Sequence, residues 1–84
     1  MTKCEKLIDR LLLKPKDFTW DELANLLLGL GFTEMRFGKT GGSRVRFIHS
    51  EHPPITLHKP HPRPILRRYQ LGHVIELLKQ ENLL

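Results

Sequence analysis

Residues 38–64, GKTGGSRVRFIHSEHPPITLHKPHPRP, decide the fold. Residues 43–48 alternate as a half-buried strand does, sending Val45 and Phe47 to one side and Arg44, Arg46 and Ile48 to the other. Residues 55–58 repeat the pattern with Ile55 and Leu57 inward, and Pro53 and Pro54 bracket a short connection. Upstream, residues 32–37 read as a first strand, which Gly38 and the Gly41-Gly42 pair turn back onto Ser43. With Met35 and Phe37 facing the core, Arg36 joins Arg44, Arg46 and His58 on the open side of a three-stranded antiparallel sheet. Such a face suits a polyanion.

Working outward, Thr19-Trp20-Asp21-Glu22 has the form of a capping box, with Phe18 and Leu23 at the two staple positions. Leu23, Leu26, Leu27 and Leu30 make the buried stripe of this helix, and Gly31 is placed to end it in a left-handed turn. Trp20 reads as a packing aromatic, with base stacking as the alternative. Cys4, Leu7, Ile8, Leu11 and Leu12 recur at helical spacing before that, in a first amphipathic helix that stops short of Pro15. Beyond the strands, residues 59–64 form a proline-stiffened loop that presents His61 and Arg63 in extended form. From about Gln70, Leu71, Val74, Ile75 and Leu78 resume helical spacing to the end, with Gly72 weakening the helix slightly. The order helix, helix, three strands, helix is an α+β layer arrangement with the two later helices on one face of the sheet.

The 84 residues leave room for one small domain, which buries about 60% of the surface its unfolded chain exposes. Cys4 is the only cysteine, so an internal disulfide is excluded; it reads as a packing residue in a protein of the reducing cytoplasm. No leader pattern opens the chain and no apolar run approaches the ~18 residues of a membrane span. Charge is uneven. Between positions 36 and 68, eight cations (Arg36, Lys39, Arg44, Arg46, Lys59, Arg63, Arg67, Arg68) face Glu51 alone, giving +7, while the remainder sums to −2 of the net +5. These cations, with Ser43 among them, are the candidate nucleic-acid contacts. A solvated face kept for solubility is the plainer alternative.

An ordered set of landmarks in this region resembles the bacterial HicA toxins, small RNA-cleaving partners of HicB antitoxins. Leu30-Gly31-Phe32 is similar to the family's entry to its first strand, Gly42-Ser43 to its Gly-Ser pair, and His61-Pro62 to its His-Pro after the third strand. Leu66-Arg67-Arg68 followed by Leu71 resembles its basic approach to the last helix. The likeness runs over roughly residues 20–80, so residues 19–81 form the core and residues 1–14 an added helix, read as a packing element or as a further contact for a partner. The resemblance implies a fold like that of double-stranded-RNA-binding domains, an mRNA interferase activity without metal or small-molecule cofactor, and RNA and a HicB-like antitoxin as partners, with no membrane. One departure stands out: Arg44 occupies the position of the family's catalytic histidine.

That departure sets the chemistry. Metal-free RNA cleavage needs a base for the 2′-hydroxyl proton, an acid for the leaving oxygen and cations for the phosphorane, and histidine suits the first two. Arg44 stays protonated at any working pH, but its planar fork fits bidentate phosphate contact. The proton transfers then fall to His58, on the same face as Arg44, to His61, or to His49. A zinc site from His49, His52, His58 and His61 is the weaker reading, because structural zinc recruits cysteines at close spacing and Cys4 is remote. Two other functions stay open: an RNA-binding or regulatory relative that lost cleavage with the histidine, and a basic protein-interaction module.

Overall fold

The computed structural model describes residues 3–36, 44–60 and 62–84, with Lys3 and Arg36 described by their backbone alone. The expectations for Phe37, the glycine turn with Lys39, Ser43, His61 and the side chain of Arg36 lie outside the described residues.

Helix α1 (Lys3–Leu12) ends in a tight turn where Lys14 N–H donates to Leu11 O at 2.9 Å, and Lys14 itself takes φ +48° just before Pro15. Its Leu11 is buried in the common core, and Cys4 packs over α2, where a Cβ added to Gly29 would lie 3.0 Å from the Cys4 sulfur. The expected packing role of Cys4 holds. Helix α2 (Trp20–Gly29) starts at the capping box read from the sequence. Thr19 Oγ1 accepts from Glu22 N–H at 3.1 Å, and Glu22 Oε1 accepts from Thr19 N–H at 3.1 Å. Phe18 and Leu23 are both fully buried, as staple residues should be.

Gly31 ends this segment at φ +101°, a conformation in which a side chain is strained. A second reason reserves the position for glycine, since a Cβ there would stand 2.7 Å from His49 Nε2.

Strands β1 (Thr33–Arg36), β2 (Arg44–Ile48) and β3 (Ile55–His58) form one antiparallel sheet in the order β1-β2-β3. Val45, Phe47, Ile55 and Leu57 all face the core, as their alternation required. The reading of β1 needs correction. Met35 pairs with Arg46 and is 57% exposed, so it stands on the open face; position 36 pairs with Val45 instead. The apolar residues do not set the parity of this edge strand. Glu34 sets it, pairing with Phe47 and accepting a hydrogen bond from Trp20 Nε1–H at 3.2 Å. The buried indole thereby finds its acceptor, and Trp20 is the packing aromatic expected, with its ring centroid 5.7 Å from that of Phe47.

Helix α3 (Arg68–Gln80) begins two residues before the expected Gln70 and buries Leu71, Val74, Ile75 and Leu78. Helices α2 and α3 cover the inner face of the sheet, and α1 packs across α2 and α3. The fold is α+β, with an α-β-β-β-α core behind an extra first helix. No helix of the described residues is long and apolar enough to cross a membrane.

Candidate nucleic-acid interface

The open face of the sheet carries the first group of candidate residues. Inward apolar and outward polar residues alternate along β2 and β3, so Arg44, Arg46, Thr56 and His58 are all exposed on one side. The register places Arg44 directly opposite His58 and Arg46 opposite Thr56. Directly opposed residues of an antiparallel pair have Cβ atoms about 4.5–5.5 Å apart, within reach of one phosphate group for side chains of this length. Sequence reasoning placed His58 and Arg44 on one face; the pairing makes them neighbours.

His58 is held from behind. Gln70, buried on α3, donates its Nε2–H to His58 O at 2.9 Å, and its Oε1 accepts from Arg67 N–H at 3.0 Å. One amide therefore fixes the end of β3 and the start of α3 together. Beside this link, Thr56, His58, Tyr69, Gln70 and His73 line an open depression of about 440 Å³. Tyr69 is 73% exposed and offers a ring on which a base can stack. Tyr69 and His73 went unnoticed in the sequence. Their spacing of four puts them on one helix face, but only the packed structure shows that this face adjoins His58.

The other described histidines are engaged elsewhere. His49 accepts from Glu51 N–H at Nδ1 (3.0 Å), which leaves the proton on Nε2 to be donated to Leu30 O at 3.2 Å. Its ring also packs edge-on against Phe32, with centroids 4.9 Å apart. His52 Nδ1 pairs with Glu81 Oε1 at 2.8 Å. His49 is thus no candidate base. It pins the α2–β1 turn to the end of β2. Among the described residues no group of three or more His, Cys, Asp or Glu side chains is placed to hold a metal ion.

Of the remaining described cations, Lys59 directly follows β3 and is half-buried, and three others lie farther along the chain. Arg63, Arg67 and Arg68 are exposed and line a separate depression of about 570 Å³, shared with Lys14 and Lys16 from the α1–α2 connection. Sequence reasoning assigned the positive surplus to positions 36–68 alone and missed both lysines. A charge-paired cluster formed by Arg10, Asp17 and Glu22 involves the same α1–α2 connection. Arg10 bonds Glu22 Oε2 at 2.8 Å and Asp17 Oδ1 at 3.0 Å, and its guanidinium holds the Glu22 carboxyl below its ordinary value.

The family model described as HicA toxin of bacterial toxin-antitoxin matches residues 20–82, which leaves out α1 and the connection after it. No curated protein and no solved structure matches the chain.

Proposed function

Because the chain belongs to the HicA toxin family of bacterial toxin–antitoxin systems, which implies a cognate antitoxin, we propose that it is an RNA-binding mRNA interferase acting in the cytoplasm and neutralised by a HicB-like antitoxin. The observation that carries this reading is the Arg44–His58 pair, exposed side by side on a sheet face that no helix among the described residues covers. In the proposed reaction, His58 takes the proton of a 2′-hydroxyl as that oxygen attacks the adjacent phosphorus. Arg44, with Arg46 beside it, contacts the phosphate and offsets the charge gained by the phosphorane. The bond to the 5′ oxygen then breaks, and His61 is assigned to protonate that oxygen, leaving a 2′,3′-cyclic phosphate. The step consumes no metal or cofactor. An antitoxin that blocks it covers the cationic sheet face or the loop around His61, and an acidic or strand-rich surface complements that face.

The test uses the purified chain and RNA in the presence of a chelator. Wild type is expected to cut RNA to cyclic-phosphate ends and to arrest growth when expressed. His58→Ala should slow cleavage by about 10²–10⁴-fold, the usual loss for a general base, with an unchanged unfolding midpoint because the side chain is exposed. A wild type that binds RNA without cutting it, together with an Arg44→His variant that does cut, would establish the non-catalytic RNA-binding relative instead. No RNA binding even at low salt would leave only the protein-interaction module.

A further inference from the structure

The depression between the α1–α2 connection and the loop before α3 is built from two segments about fifty positions apart, and backbone bonds fix its shape. Thr19 and Ile65 form an antiparallel bridge, Trp20 N–H donates to Pro64 O at 2.8 Å, and Leu66 N–H donates to Phe18 O at 2.8 Å. Lys14 and Lys16 stand on one wall and Arg63, Arg67 and Arg68 on the other. Among the described residues none of these five groups is paired with a carboxylate. Asp17, the acid next to Lys16, is held by Arg10 on the α1 side. The ammonium of Lys14 reaches α3, where it lies 3.8 Å from the Cβ that Gly72 lacks.

The start of α3 adds to this field. A helix N-terminus carries roughly half a positive charge and favours acids in its first turn, yet α3 opens on Arg67 and Arg68 with no acid there. Like charges gathered at a positive helix end cost stability, and such local conflict is expected at functional or strained sites.

We propose that this groove is a second RNA-backbone site, in which Lys14 and Lys16 join the basic approach to α3 to hold a phosphodiester segment away from the Arg44–His58 pair. It rests on the RNA reading above and extends it to a part of the chain that lies outside the family match. Lys14 and Lys16 thereby become part of the substrate surface, and α1 the element that positions them.

The experiment compares salt dependence of binding to a single-stranded RNA of about 15 nucleotides. Each phosphate contact contributes about 0.7 to the log–log slope. The variant is Lys14→Asn with Lys16→Gln, since asparagine tolerates the left-handed backbone of position 14. It should lower the slope by roughly 1.4 for two contacts, while its unfolding midpoint stays at or slightly above the wild-type value and its cleavage of a dinucleotide, too short to reach the groove, is unchanged. Lys6→Ala with Lys79→Ala, an equal loss of charge outside the groove, should leave the slope unchanged. A full wild-type slope in the Lys14/Lys16 variant overturns the groove and leaves the RNA reading intact. So does a variant that keeps its RNA slope but loses its complex with the antitoxin, since the groove would then be a protein dock. A wild type that binds no RNA overturns both.

Discussion

Helices α2 and α3 start side by side, tied together by the Thr19–Ile65 bridge, and their charges are handled in opposite ways. The α2 start has its polar groups answered within the protein. Thr19 and Glu22 cap each other, Asp21 and Glu22 complement the helix end, and Arg10 from α1 neutralises Glu22. The α3 start has cations where acids belong, no carboxylate partner for them among the described residues, and only the buried amide of Gln70 to bond its first N–H. One start is satisfied by the protein itself, and the other is where the RNA backbone is proposed to bind. The difference teaches that a break with local rules is informative, because such breaks are expected at functional or strained sites.

Gln70 offers the hardest test of that contrast. Gln70→Leu fills the same space but strips the partners of His58 O and Arg67 N–H, each a cost of about 1–3 kcal/mol when left unsatisfied. Chemical denaturation should show that loss, and RNA cleavage should fall further than stability explains because the end of β3 that carries His58 is released. An unchanged cleavage rate in the folded fraction would break the link drawn between the two elements.

Glu22→Gln probes the start whose charge is paired. Glutamine keeps the reach back to Thr19 N–H but loses the charge that Arg10 holds. Because the folded-state value of Glu22 lies below its ordinary one, its charge stabilises the fold above the ordinary carboxylate range, and this contribution disappears as pH falls through the lowered value. The variant should therefore melt a few degrees below wild type at pH 7, with the gap closing under acid conditions. RNA affinity should not change. A gap that persists or widens at low pH would show that the pair is not what stabilises this start.

The smallest effect, and the one of opposite sign, is expected from Arg67→Asp. An acid at a helix start contributes about 0.3–1 kcal/mol, so this variant should be slightly more stable than wild type while binding RNA with a shallower salt slope. A less stable variant would mean that the cations at this start are structural.

Much of the architecture was legible because it obeys local rules. The capping box at Thr19, the glycine stop at Gly31 and the alternation of β2 and β3 each involve residues within a few positions of one another, and all three stand in the structure. Met35 misled for the same reason. Its alternation with Phe37 resembled a core pattern, but an edge strand takes its parity from its partners, here Phe47 across the ladder and Trp20 beneath. The histidines divide in the same way. Nothing in the spacing of His49, His52 and His58 reveals that the first two are bonded to Leu30 O and Glu81 while the third remains exposed beside Arg44.

The amino-acid order alone determined the α+β class, two of the three strand faces, the caps of α2 and the resemblance to the toxin family, because periodicity, turn chemistry and motif order are properties of neighbouring residues. Tertiary structure alone decided that Arg44 meets His58, that Gln70 binds both β3 and α3, and that Lys14 and Lys16 face Arg63, Arg67 and Arg68 across one groove. Those juxtapositions bring together residues up to some fifty positions apart. They depend on strand register and on how helices dock, and both are fixed by the burial of the shared core rather than by any residue's own neighbours.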